Sequence, residues 1–298
     1  MTIGRKELRG VFTALVTPMN RDGSIDTGAL DALVDGQLEA GVDGLVPCGT
    51  TGESATMNAE ERQRVIARVV NRVNNRVPVV AGAGSNNTAG AIEHQKRAKE
   101  TGAPVTLVAT PYYNKPTPEG LYRHYSALLE AVDIPILLYN VPGRTACDMK
   151  PETVERIAKL GGIVGIKEAT ADLDRVAAIR AVTPESFAIL SGDDGTACAF
   201  VLLGGDGVIS VASNAAPKEM VSMVHAALDG RVDATRKEHD RMRPLFEALF
   251  FEANPIPVKA ALAMQKRIQE AYRLPLCEMA TDTRARLETV LRCGGWLS

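Results

Sequence analysis

Pro135-Ile136-Leu137-Leu138-Tyr139 and, one helix later, Gly162-Ile163-Val164-Gly165-Ile166-Lys167-Glu168-Ala169 are two short apolar strands, each ending on a polar side chain. Between them, residues 150–160 carry apolar side chains at helical spacing. Strand, helix, strand without a hairpin signal means two parallel strands joined by a crossover. A lysine closing an otherwise apolar strand is an expensive place for a charge. Two readings of Lys167 are open. Either the ammonium snorkels out of the sheet end, or the amine gives up its charge and becomes a nucleophile toward carbonyls.

The same unit repeats in both directions. Strands are predicted at 11–17, 44–47, 78–83, 105–109, 135–139, 163–167, 187–190 and 207–210. Amphipathic helices are predicted between them at 27–40, 58–74, 88–101, 117–131, 150–160, 172–182 and 196–203. Eight parallel strands alternating with helices are the number that closes, so the expected fold is an α/β protein, a (β/α)8 TIM barrel. An open doubly wound sheet with a second domain is the other architecture this rhythm permits. After Pro217 the strand signals stop and four helices follow, at 217–228, 231–251, 255–272 and 281–292. A barrel needs one closing helix, so the rest is an appendage, either a structural cap or an oligomerisation element. The expected division is a catalytic barrel at 1–216 and a closing helix with helical extension at 217–298.

Composition removes several function classes. A formal net charge of -2, without a run of basic residues, gives no nucleic-acid signature. No apolar stretch approaches the roughly 18 residues that span a bilayer. Charges at Arg5, Lys6, Glu7 and Arg9 stand where a secretory signal needs an apolar core, so a cytoplasmic location is expected. The five cysteines are scattered with no CxxC pair, and the four histidines include no i, i+4 pair. No metal is called for, although one assembled from distant positions stays open.

In such a barrel the active site lies at the C-terminal ends of the strands. Those ends carry Cys48-Gly49-Thr50-Thr51-Gly52-Glu53, Thr110-Pro111-Tyr112-Tyr113-Asn114-Lys115, Tyr139, Lys167 and Ser191-Gly192-Asp193-Asp194. Gly49-Thr50-Thr51-Gly52 is either a plain tight turn or a nest of backbone N–H groups suited to a carboxylate. Lys167 beside Tyr139 pairs an amine with a phenol, one of the few neutral groups able to shuttle a proton during imine formation. Arg144 in Val141-Pro142-Gly143-Arg144 offers a planar fork for a carboxylate, or an ordinary surface ion pair. Asp193-Asp194 hints at a divalent metal, without a third clustered ligand to support it.

With these residues in hand the chain resembles the pyruvate-dependent Schiff-base aldolase and lyase family, and within it the dihydrodipicolinate synthase branch. The likeness runs from Gly10 to the helical tail and rests on Gly49-Thr50-Thr51-Gly52-Glu53-Ser54, Tyr112-Tyr113-Asn114-Lys115-Pro116, Tyr139-Asn140-Val141-Pro142-Gly143-Arg144, Gly165-Ile166-Lys167-Glu168 and Ser191-Gly192-Asp193-Asp194. The resemblance implies that Lys167, neutral at the moment of attack, condenses with the ketone of pyruvate. Tyr139 would be the general acid and base, and Thr50 would pass protons between Tyr139 and a Tyr113 reaching in from a neighbouring subunit. Thr51 would hold the pyruvate carboxylate, with Gly192 and the main chain at Ile209 in the same pocket. Arg144 would receive the carboxylate of L-aspartate 4-semialdehyde. The implied reaction makes 4-hydroxy-tetrahydrodipicolinate for lysine and diaminopimelate biosynthesis, without metal or organic cofactor, in a homotetramer built from two tight dimers. Sister activities, N-acetylneuraminate lyase or a 2-keto-3-deoxy sugar acid aldolase, share the lysine and tyrosine but generally lack Arg144. A silent keto-acid-binding barrel is the reading from another class. Lysine-inhibited members hold the effector's charged end with an acidic side chain where this chain has Gly90. They also often have histidines where it has Ala59 and Arg62, so weak or absent inhibition by L-lysine is expected.

Overall fold

Eight strands form one sheet in the computed structural model, which describes residues 3–297; residues 1, 2 and 298 of the expected division lie outside it. The strands are β1 (Gly10–Ala14), β2 (Gly44–Val46), β3 (Val80–Gly82), β4 (Val105–Ala109), β5 (Ile136–Asn140), β6 (Ile163–Glu168), β7 (Ala188–Ser191) and β8 (Gly207–Ser210). All neighbours are parallel in the order β2-β1-β8-β7-β6-β5-β4-β3, and a parallel bridge between Leu45 and Val79 brings the two ends together. This is the expected (β/α)8 barrel. Around it run α1 (Thr27–Glu39), α2 (Ala59–Val73), α3 (Thr88–Glu100), α4 (Pro118–Ala131), a one-turn α5 (Pro142–Thr145), α6 (Pro151–Ala158), α7 (Asp174–Val182) and α8 (Ala197–Leu202). The tail adds α9 (Pro217–Leu228), α10 (Val232–Ala248), α11 (Ile256–Met264) and α12 (Thr281–Cys293). Among the described residues no helix is long and apolar enough to cross a membrane.

Alternation along the strands sorts the core. Phe12, Val46, Val80, Leu107, Leu137, Leu190 and Ile209 fill the barrel interior. Their neighbours Val11, Leu45, Val108, Leu138, Ile166 and Ile189 point outward against the helices. Side chains of α9 to α12, among them Met220, Leu245, Leu262 and Leu287, share one apolar cluster with Val11, Leu15 and Leu45 of the barrel. The tail is therefore packed onto the barrel wall.

One departure from alternation decides the chemistry. Ile136 pairs with Ile163, but Leu137 pairs with Gly165, so Val164 and Gly165 together stand opposite one step of β5. This β-bulge shifts the side-chain phase. Ile163 and Ile166 both face the helices, whereas Val164 faces the interior. Lys167 then falls in register with Tyr139, which faces inward. Under strict alternation, with no bulge to absorb the extra residue, Lys167 would lie four positions after Ile163 and share its outward phase. Glycine suits the bulge, because a Cβ on Gly165 would lie 2.4 Å from the carbonyl oxygen of Ala188.

Two expected elements differ. The single turn of α5 escaped the sequence pattern, being shorter than any periodicity can report. The third tail helix was expected at 255–272 and ends at Met264, where Gln265 caps it and Lys266 takes a left-handed backbone (φ 59°). The chain from there to α12 returns as an irregular strap. Arg273 on this strap donates to the carbonyls of Gly23 and Thr56, both at 2.9 Å, and to Glu61 at 2.5 and 2.8 Å. Glu61 also closes the capping box of α2, accepting from the Asn58 amide while the Asn58 side chain accepts from its own.

The guanidinium of Arg273 holds the Glu61 carboxyl down at about 2. A carboxyl lowered on folding contributes stability that is complete above its ordinary value of 4.5 and is lost as pH falls toward 2. The expected result is that Glu61→Gln lowers the melting temperature at pH 7 and that this deficit shrinks as pH falls below 4.5. Melting curves of both proteins from neutral to acid pH check it; a deficit independent of pH would mean that the ion pair contributes nothing.

Candidate active site

Five strand ends converge on one mouth. Tyr139 and Lys167 are registered neighbours on β5 and β6, and the Lys167 Nζ stands 4.4 Å from the centre of the Tyr139 ring. Lys167 is only 6% exposed and makes no hydrogen bond or ion pair within the described residues. The snorkelling alternative therefore fails, since the amine is directed inside with nothing on the chain to occupy it. The strand ends beneath are fixed by Asn140. Its side-chain amide donates to Glu168 at 3.1 Å and Asp148 at 2.9 Å, and its carbonyl accepts from the Met149 amide. Burial raises the Glu168 carboxyl.

The β2 end supplies Thr50 and Thr51. Cys48 turns the chain at φ 55°, and Gly52 fits because a Cβ there would come within 3.1 Å of the Leu15 carbonyl oxygen. Thr17 holds the turn by donating to the Gly52 carbonyl at 2.8 Å. Thr51 is buried and its hydroxyl accepts from the Asn254 side-chain amide at 2.9 Å. Arg144 rides on α5, anchored by Thr110 and Thr145 hydroxyls 3.1 Å apart. One guanidinium nitrogen donates to the Asn254 carbonyl at 3.1 Å, and no carboxylate pairs with it among the described residues. The surface ion pair considered for Arg144 is thus absent there, and its remaining donors are available to a ligand.

These groups wall two adjoining cavities. The inner one, about 140 Å³, is lined by Thr50, Thr51, Tyr139, Arg144, Lys167, Gly192, Asp193, Phe250 and Asn254. The outer one, about 290 Å³, shares Thr50, Tyr139 and Arg144 and extends past Ser54, Ala55 and Tyr112 to Arg62. Ile209 belongs to the barrel interior beneath and lines neither cavity with its side chain. Tyr113 lines neither; it is 89% exposed on a left-handed backbone (φ 74°), facing away from the site of its own chain.

A family model for the dihydrodipicolinate synthetase family matches residues 7–293. The chain belongs to that family. It is 52% identical over 290 residues to the 4-hydroxy-tetrahydrodipicolinate synthase of Methylococcus capsulatus, covering 97% of this chain and 100% of the relative. Among solved structures, the chloride-inhibited dihydrodipicolinate synthase of Acinetobacter baumannii, complexed with pyruvate, superposes with a TM-score of 0.95 at 44% identity, covering 97% and 99% of the two chains. The dihydrodipicolinate synthase of Thermotoga maritima gives 0.94 at 45% identity with the same coverage. Relatives of this family are lyase-type enzymes, and this chain is one.

Sequence reasoning missed three participants. Asn254 and Phe250 come from the turn between α10 and α11, which nothing in the tail marked as passing over the mouth. Asn254 joins the β2 turn to α5, bonding both Thr51 and Arg144, and its buried Oδ1 has no partner among the described residues. The third is Lys259 on α11. It reaches Glu53, the residue after the Thr50-Thr51-Gly52 turn, in an ion pair with both side chains wholly inaccessible. Burial lowers the Lys259 ammonium, with Glu53 opposing the shift. Asp194 accepts through Oδ2 from the amides of Val211 and Ala212 at 3.0 and 2.8 Å, and burial pushes its carboxyl up to about 6.

Gly192 is where a small change should act on the amine directly. A Cβ there would sit 2.9 Å from Lys167 Cε and 2.5 Å from Ala169 Cβ. Gly192→Ala is expected to fold and yet push the lysine aside, lowering kcat about a hundredfold, as a misplacement near 1 Å does. Steady-state rates beside a melting curve check this, and unchanged kcat would place the lysine out of reach of that methyl.

Proposed function

We propose that the chain condenses pyruvate with L-aspartate 4-semialdehyde to give 4-hydroxy-tetrahydrodipicolinate, as a lyase of lysine and diaminopimelate biosynthesis. The observation that carries this reading is the buried, unpaired amine of Lys167 in register with the Tyr139 phenol, facing Thr50, Thr51 and Arg144. Lys167 adds to the pyruvate ketone and water leaves, forming an imine. Loss of a methyl proton gives an enamine, whose terminal carbon attacks the aldehyde of the second substrate. The amine of that substrate then adds to the imine carbon, the ring closes, and Lys167 departs unchanged. One water is released overall.

Tyr139 acts as the acid and base of these steps, since its ring lies against the amine. Thr50 lines both cavities and can relay protons along the wall. Thr51 holds the pyruvate carboxylate with Gly192 and the main chain at Ile209 near it. Arg144 takes the carboxylate of the semialdehyde through a charge-assisted fork. The exposed Tyr113 completes the relay in a partner's site, which implies a tight dimer and, by family likeness, a tetramer of two such dimers. The relative solved with pyruvate supports the first substrate, and the free Arg144 guanidinium favours the amino-acid substrate over sugar acids.

The test is borohydride trapping with pyruvate, followed by mapping of the modified peptide, beside condensation with aspartate semialdehyde and cleavage of sialic acid or keto-deoxy sugar acids. An unmodified Lys167, or turnover of the sugar acids alone, sinks the reading. Feedback by L-lysine is expected to be weak or absent. Gly90 offers no charge, Arg62 lines the outer cavity, and Glu93 is engaged by Arg97 at 2.8 Å. Half-inhibition of the initial rate below about 1 mM lysine would contradict this, a threshold that corresponds to roughly 4 kcal/mol of binding.

A further inference from the structure

Asn254 uses its polar groups unevenly. It is 6% exposed, in the turn between α10 and α11, and it lines the inner cavity. Its main-chain carbonyl accepts from Arg144 at 3.1 Å, and its side-chain Nδ2 donates to Thr51 Oγ1 at 2.9 Å. Its Oδ1 is buried, and no donor among the described residues reaches it. A buried carbonyl oxygen left bare is costly, so such a group in a native fold asks for an explanation. The amide is turned so that its nitrogen, not its oxygen, meets the threonine.

That polarity fixes what Thr51 can do. A hydroxyl has one hydrogen to donate and two lone pairs that accept. Asn254 fills a lone pair of Thr51, and no acceptor among the described residues takes the Thr51 hydrogen. Thr51 is 3% exposed and lines the inner cavity with Lys167. We propose that Asn254 is a positioning residue for the first substrate: its amide compels Thr51 to act as a donor, and the hydroxyl hydrogen goes to the carboxylate of the 2-oxo acid. This rests on the reading above, in which Thr51 holds that carboxylate and Lys167 takes the ketone. The backbone of the turn does not depend on the Asn254 side chain. Thr17 holds the Gly52 carbonyl at 2.8 Å, and Lys259 holds Glu53. Losing the Asn254 amide therefore frees the hydroxyl and leaves the turn in place. The bond to Arg144 comes from the main chain, which every substitution keeps.

The test is the initial rate of reductive trapping by cyanoborohydride against pyruvate concentration at pH 8, without the second substrate. Asn254→Ala should raise the half-saturating concentration about tenfold, the scale of an ordinary hydrogen bond, with the maximal rate within about twofold of normal. Asn254→Asp should raise it roughly a hundredfold, since a carboxylate takes the Thr51 hydrogen for itself and repels the ligand. In a Thr51→Val background, Asn254→Ala should add less than about twofold, because the hydroxyl through which it acts is gone. Should Asn254→Asp fail to fold, that comparison decides alone. Half-saturation close to normal in Asn254→Asp would show that Thr51 donates to this side chain, and would overturn the proposal. So would two single effects that multiply in the double variant, or a maximal rate that falls while half-saturation holds. Wild-type protein that traps no pyruvate overturns the Schiff-base reading itself, and this inference with it.

Discussion

Lys167→Ala is expected to abolish both imine trapping and turnover while the barrel stays folded. The amine is the one nucleophile in the inner cavity that can form an imine with a ketone, so no neighbouring group substitutes for it. Removing a covalent nucleophile typically lowers turnover on the order of 10^4- to 10^6-fold. Stability should hardly suffer, because the amine has no partner among the described residues to leave stranded. Arg144→Ala should separate the half-reactions: pyruvate is still trapped, while KM for the semialdehyde rises. Residual turnover in Lys167→Ala above about a thousandth of normal, or a melting temperature lowered by more than about 5 °C, would place the lysine among structural residues.

The second large effect concerns stability and lies far from Lys167 in sequence. Lys259→Met should destabilise the protein by about 3–5 kcal/mol, because it strands a buried Glu53 carboxylate. At this chain length that is a melting temperature lower by roughly 10 °C. Replacing both members, as Glu53→Leu with Lys259→Met, should recover most of the loss, since a buried pair exchanged for apolar side chains is often neutral or better. Glu53 directly follows the turn bearing Thr51, so the single variant should also raise KM for pyruvate. A melting temperature unchanged within about 2 °C would show that the carboxylate finds water or a proton at little cost.

Much of this was legible beforehand. Eight strands, their order and the converging strand ends follow from the βα rhythm alone, because apolar runs and helical periodicity are local signals. Boundaries were less so: the first strand was expected at 11–17 and is Gly10–Ala14, since apolar residues beyond a strand's last ladder bond look the same in sequence. The third tail helix overran to 272 because its apolar spacing continues into a strap that packs without being helical. Asn254 was invisible for a different reason: an asparagine in a turn means the same in sequence whether the turn faces water or a catalytic mouth. Lys259 was legible and was not read. It is the one charge in Ile256–Met264, an otherwise apolar helix, the very argument that singled out Lys167.

The paired residues Val164 and Gly165 on β6 have one more consequence. A strand is a two-letter alphabet of directions, and an added residue inverts every letter after it until something resets the phase. Here the bulge resets it at once, so Ile166 and Lys167 keep the directions of Leu138 and Tyr139 opposite them. The nucleophile is thus specified by a count as much as by an identity, like a word that depends on its reading frame. Relatives that exchange the neighbouring apolar residues freely can keep the chemistry, whereas flattening the bulge while keeping both residues would yield a barrel whose lysine faces the helices.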